Sequence, residues 1–247
     1  VFSLENWKGP EIMNLVTLTQ AIFMLGFVSM AAGTLYFVLE RSDLKPEHKS
    51  TATYAALITF IAAILYWQMK DVVSFPGLTD VAAIESTMPL RYIDWILTTP
   101  LLLLEFGIIA SLAGAPKGTT YRLVLADLVM IITGYFGEIG QPGTVGNYVN
   151  FIISSLAWAW IAYTIWNIKP TKGTAAMKSS IEAMKKFVVF GWVIYPIGTS
   201  IQEFLEISGS DAQTIELAVC VAAIIYVFAD VINKVGFGIV ALRAVKK

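Results

Sequence analysis

Seven apolar stretches, at about 11–40, 51–73, 88–113, 119–139, 145–168, 181–206 and 212–244, take up most of the 247 residues. Each is long enough to cross a hydrocarbon layer about 30 Å thick, which takes roughly 20 residues of helix. Inside such a layer every backbone N–H and C=O must be satisfied without water, so stretches of this length fold as helices. The connections are short and no length is left for a separate soluble domain. We therefore read residues 1–247 as one all-α domain, a seven-transmembrane-helix bundle that makes the protein multi-pass. Charged residues agree, at 14% against about 25% in soluble domains. Nothing in the pattern points to nucleic acid or to a metal site.

Basic residues are sorted by connection. Arg41, Lys45 and Lys49 fall in the first, Lys117 and Arg122 in the third, Lys169, Lys172, Lys178, Lys185 and Lys186 in the fifth, and Arg243, Lys246 and Lys247 in the tail. The other side has Lys8 and Lys70. The positive-inside rule then puts the N-terminus outside and the C-terminus in the cytoplasm of a cell membrane. Residues 1–10 lack the basic segment and cleavage site of a signal peptide. Cys220 lies in the last span and reads as a packing residue, and His48, in the first connection, as a solvated loop residue. Glu203, Glu206, Asp211 and Glu216 surround the sixth connection and read as an ordinary solvated loop in preference to a proton exit cluster.

Two basic residues are left inside the membrane, Arg91 and Lys234. Lys234 shares the interior of an apolar stretch with Asp230, four residues earlier and so on the same helix face. Each such group costs roughly 2.5–3.5 kcal/mol at mid-membrane, which makes intramembrane ionisable residues functional candidates. The alternative is a neutralising pair that merely lets the helix insert.

The third span is the densest in chemistry: Arg91-Tyr92-Ile93-Asp94-Trp95, then Thr98-Thr99-Pro100 and Glu105. At about 100° per residue, Asp94 and Glu105 return to within about 20° of one face, roughly 16 Å apart along the axis. Thr98, one turn beyond Asp94, is placed to bridge that line by its hydroxyl. Glu105, flanked by Leu103, Leu104, Phe106 and Ile108, is expected to keep its proton at rest, and Asp94, near Arg91, to be ionised. One carboxyl is thus set to give a proton and the other to take one. Pro100 and Pro196 permit kinks. Trp192 and Tyr195 share a face and either pack in the core or wall a flat apolar ligand.

Taken in order, Arg91-Tyr92-x-Asp94-Trp95 with Thr98, Thr99 and Pro100, then Trp192-x-x-Tyr195-Pro196, then Asp230-x-x-x-Lys234 with Val235-Gly236-Phe237-Gly238, resemble the microbial rhodopsins over nearly the whole chain. The resemblance implies all-trans retinal bound to Lys234 as a Schiff base, Asp94 and Asp230 as its counterions, and Arg91 organising the extracellular half. The combination of Asp94, Thr98 and Glu105 resembles the outward proton pumps of the proteorhodopsin type. By that likeness Asp94 is the primary acceptor, Thr98 its hydrogen-bonded neighbour and Glu105 the cytoplasmic donor. The implied retinal pocket takes in Trp95, Met130, Gly134, Phe151, Ser154, Trp158, Trp192 and Tyr195, with Tyr66 near the counterions. Gly134 makes room for the ionone ring on this reading, or simply serves helix packing. Leu102 implies green rather than blue absorption, and Phe151 disfavours a carotenoid antenna.

The chain departs from that pattern at Leu65, where such pumps usually carry a histidine beside the acceptor. Asp127 and Glu138 are further acids without an assigned role. The competing function is a photosensor that signals to a partner protein. Glu105 favours the pump, because a sensor needs no rapid reprotonation. A receptor for a soluble ligand fits less well, since the chain stops at Lys247, soon after the last span. Related pumps form trimers, pentamers or hexamers, so a homo-oligomer is expected.

Overall fold

The computed structural model describes residues 10–73, 80–116 and 118–246; Lys8, Lys117, Lys247 and the segment 1–9 lie outside the described residues. Among the described residues, seven helical spans are long and apolar enough to cross a membrane. The first five expected stretches correspond to α1 (Pro10–Glu40), α2 (Lys49–Val73), α4 (Met88–Leu112), α5 (Gly118–Glu138) and α6 (Val145–Trp166), with a short α3 (Asp80–Glu85) ahead of α4. The sixth is composite: α7 (Ala175–Lys186), a π turn at Phe187–Gly191, then α8 (Ile194–Ile207). The seventh likewise runs through α9 (Ala212–Val231), a π turn at Ile232–Gly236 and α10 (Phe237–Val245).

Local chemistry explains where these helices stop. Thr144, Thr174 and Asp211 are N-caps whose side chains accept from Asn147 N, Met177 N and Thr214 N, which supplies acceptors that a helix start otherwise lacks. The Thr174 cap starts α7 six residues ahead of the expected 181, so the sixth stretch is corrected to Ala175–Ile207. The apolar run had marked the hydrocarbon layer, whereas the helix extends beyond it as an amphipathic turn and a half. Gly114, at φ +99°, closes α4, with Ala115 N donating back to Ala110 O at 2.9 Å. Pro100 lies within α4 without ending it.

Neighbouring spans pack in sequence, α1 on α2, α2 on α4, α4 on α5 and α5 on α6, and the ring closes through α8 on α9 and α9 on α1. Two apolar cores fill it. One lies toward the end rich in basic residues and includes Phe37, Leu103, Phe106, Met184 and Phe237. The other lies toward the opposite end and includes Phe23, Met30, Tyr66, Met69 and Val227. Leu65, at the position that departs from the pumps' pattern, and Cys220 are buried in this second core. Large apolar side chains such as Leu25, Phe60, Leu156 and Ile201 point outward, as lipid-facing residues do.

Candidate functional site

Lys234 is buried between the two cores, its neighbour Val235 packing against both. It is 2% exposed, and its Nζ donates to Asp94 Oδ2 and, at 3.0 Å, to Asp230 Oδ2. The two carboxylates come from different spans, α4 and α9, so the lysine joins the third helix to the seventh. Asp230 is also held by two tyrosines. Tyr66 of α2 donates to its Oδ2 at 2.8 Å and Tyr195 of α8 donates to its Oδ1. Four spans therefore meet at one buried cation and its anions. Asp94 is the less encumbered acid, because its Oδ1 is buried and has no hydrogen-bond partner.

Arg91 is placed differently from the expectation. It is buried, but its guanidinium donates to Thr87 Oγ1 at 3.2 Å and Ile84 O at 3.5 Å and lies over the Tyr226 ring, 5.4 Å from its centroid. No ion pair between Arg91 and Asp94 occurs among the described residues. Thr98 is a second correction. Its hydroxyl donates to Asp94 O, the main-chain carbonyl, at 2.8 Å and so does not bridge to the carboxylate. The Thr99 hydroxyl lies 2.8 Å from Trp95 O and shares its one proton between that carbonyl and a carboxylate on α5. Both main-chain contacts are the usual bond of a helical threonine to the carbonyl four residues earlier, which Thr19, Thr34 and Thr59 also make.

Glu105 lies deeper on α4, fully buried, with both carboxyl oxygens unpartnered. Its chain neighbours Leu103 and Phe106 are buried in the first core. It sits seven residues from the end of α4, about 10 Å at 1.5 Å per residue.

One cavity opens from Lys234 and is walled mainly by aromatic and apolar groups. Trp95, Leu102, Met130, Gly134, Phe151, Ser154, Trp158, Trp192, Tyr195 and Asp230 all line it. Tyr66 does not, and its tie to Asp230 places it beside the anions instead. A Cβ on Gly134 would come within 3.1 Å of Ser154 Oγ and 3.4 Å of Tyr92 Oη, so the glycine keeps this part of the slot wide. Phe151 also borders a shallow apolar groove on the outer surface between α6 and α8.

Sequence reasoning left several groups unplaced. Asp127, fully buried on α5, accepts from Thr99 Oγ1 at 2.9 Å and so ties α5 to α4. Tyr92 donates to Glu138 Oε2 at 2.7 Å, and Glu138 lines the far end of the cavity with Asn147 and Glu203. Glu203 is thereby removed from the solvated loop assigned to it, with a buried Oε1, while Glu206 and Asp211 are exposed. Lys185, counted with the fifth connection, is 3% exposed on α7 and pairs with Glu182 at 2.7 Å. His48 is half-buried at the end of the Pro46–His48 turn rather than freely solvated. Asn233 could have been noticed as the one amide beside the buried lysine.

The profile of the bacteriorhodopsin-like proteins matches residues 17–247. The green-light absorbing proteorhodopsin of Gamma-proteobacterium EBAC31A08 is 34% identical over 227 residues, covering 90% of this chain and 84% of the relative. The bacteriorhodopsin of Halobacterium salinarum is 30% identical over 227 residues, covering 89% and 81%. Among solved structures, that of Exiguobacterium sibiricum rhodopsin superposes with a TM-score of 0.77 at 40% identity, covering 93% of this chain and 96% of the other.

Proposed function

The chain belongs to the bacteriorhodopsin-like family of microbial rhodopsins, and on that premise we propose that it is a light-driven outward proton pump whose retinal is held on Lys234. The observation that carries the reading is a buried lysine set between two carboxylates at one end of an aromatic slot, with a third, unpartnered carboxyl farther along the same helix.

The residues present suit the chromophore. Lys234 supplies the amine, Trp95, Trp192 and Tyr195 supply flat apolar walls, and Gly134 leaves space that a Cβ would narrow. When bound, retinal supplies light absorption and an isomerisation that redirects the proton held at Lys234 Nζ. Leu102 in the lining favours green absorption, and the Phe151 ring stands between slot and outer groove, so the reading includes no carotenoid antenna.

The two anions have different work because they have different partners. Asp230 is fixed by Tyr66, Tyr195 and Lys234, with donors on both of its oxygens. Asp94 has one oxygen free and is the natural acceptor of the proton leaving Lys234 Nζ. Glu105 then returns a proton to Nζ. Its carboxyl is stored as the neutral acid, since a bare carboxylate buried without donors is too costly. Roughly 16 Å of helix separates the two acids, so the return step requires water or movement in the half of the bundle around Glu105. The basic end of the bundle is the cytoplasmic one on this reading, with Glu138 and Glu203 on the outward side. Thr98 and Arg91 act as supports, Thr98 by pinning the backbone of Asp94 and Arg91 by its charge in the outward half.

Reconstitution with all-trans retinal tests the attachment. The protein should form a visible pigment and Lys234→Ala should form none; a pigment of unchanged colour in that variant would overturn the assignment.

A further inference from the structure

The two π turns face one another, and a single side chain makes their polar contact. A π turn shifts backbone hydrogen bonding from i+4 to i+5, which leaves carbonyls in need of other donors. In Phe187–Gly191 two of these carbonyls are taken by side chains from neighbouring spans. Trp158 Nε1 of α6 donates to Val188 O at 3.4 Å, and Asn233 Nδ2, from the other π turn, donates to Gly191 O at 3.2 Å. Asn233 is 3% exposed, and its Oδ1 has no partner. The fit is close: a Cβ on Gly191 would lie 2.0 Å from Asn233 Oδ1.

Both ends of this contact adjoin the ligand cavity. Asn233 precedes Lys234, Gly191 precedes Trp192, and Asn233, Lys234 and Trp192 all line the cavity. The sixth span is also jointed here. Pro196 has no N–H, and Trp192 O accepts from Tyr195 N at 3.3 Å instead. Beyond the joint, α7 buries Met177, Ile181 and Met184 in the same core as Phe106, the neighbour of Glu105. α7 thus packs over the Glu105 end of the bundle and runs directly into the π turn.

We propose that Asn233 is a positioning residue that latches α7 as a cover over this end. Its bond to Gly191 O holds α7 closed while Lys234 is in its resting place, and a shift of the Lys234 segment releases α7 so that Glu105 can exchange protons with the near side. The proposal rests on the ligand and the donor role assigned above. One neutral hydrogen bond suits a latch, because losing it changes an opening equilibrium by only about three- to tenfold.

Two measurements on the purified full chain test the latch: dark hydrogen–deuterium exchange of α7 amides, and flash photolysis of the reprotonation step after reconstitution with retinal. Asn233→Ala should speed both about three- to tenfold. Gly191→Ala should loosen α7 by driving its Cβ against Asn233, and it should add little in the Asn233→Ala background, where the clashing oxygen is gone. The latch is overturned if Asn233→Ala leaves α7 exchange at the wild-type rate, or if exchange rises while reprotonation is unchanged. Additive effects of the two substitutions would also overturn it. Failure of the wild type to form pigment would instead refute the proposed function, while dark exchange would still decide whether Asn233 holds α7.

Discussion

Removing one hydroxyl from each of the two tyrosines on Asp230 should have unequal consequences. Among the described residues Tyr195 is the sole donor to Oδ1, whereas Oδ2 receives both Tyr66 and Lys234. Tyr195→Phe therefore strips one oxygen of a buried anion, and a hydrogen bond to a charged group is worth about 1.5–3 kcal/mol. Tyr66→Phe leaves Oδ2 still bonded to Lys234, so its cost should fall near the roughly 0.6 kcal/mol average of polar pairs within membranes. Packing does not confound the comparison. Phenylalanine keeps the Tyr195 ring against Trp95, at 4.9 Å between centroids, and Tyr226 keeps its 3.0 Å bond to the Tyr195 carbonyl. The assay is equilibrium unfolding of the micelle-solubilised protein by a denaturing detergent, with each variant compared with wild type. A cost for Tyr66→Phe equal to or above that for Tyr195→Phe would refute the reasoning that the unshared oxygen decides the difference.

Three further expectations concern other parts of the molecule. Glu105→Gln should leave pigment formation intact and slow the reprotonation phase in flash photolysis by about 10²-fold or more; an unchanged rate removes Glu105 from the donor role. Thr99→Val leaves Asp127 with no donor to Oδ2 and should destabilise by about 1–2 kcal/mol in the same unfolding assay, whereas a neutral result would mean that the α4–α5 tie contributes nothing. Asp211 lies outside the spans, and the Thr214 N–H and hydroxyl hold its carboxylate below its ordinary range. A lowered folded value means that this stabilisation is complete above the unfolded value of about 3.9 and is lost as pH falls through the folded one. The difference in thermal midpoint between wild type and Asp211→Ala should accordingly be present at neutral pH and shrink in strong acid. A gap that widens in acid would contradict the cap.

The spans were readable because membrane thickness writes itself into the sequence as apolar length. Lys234, Asp94, Asp230 and Glu105 were readable because charge inside that length is costly. Helix ends were less so: α7 starts at a threonine cap in polar sequence, which an apolar run cannot register. The π turns left a single weak trace, a glycine closing each at Gly191 and Gly236. Side-chain direction was the other gap. Spacing put Thr98 and Arg91 beside Asp94, but the hydroxyl turned to the Asp94 main-chain carbonyl and the guanidinium turned toward Thr87 and Tyr226. Glu203 and Glu138 could not be joined to the cavity from sequence, because they come from different spans and meet only through the closure of the ring.

Illumination of an unbuffered suspension of cells that carry the protein and all-trans retinal tests the pumping claim most directly. Outward transport predicts acidification of the medium in the light, reversed in the dark and abolished by a protonophore and by Lys234→Ala. A coloured pigment that gives no change in pH, or one that makes the medium alkaline by inward proton movement, would contradict it.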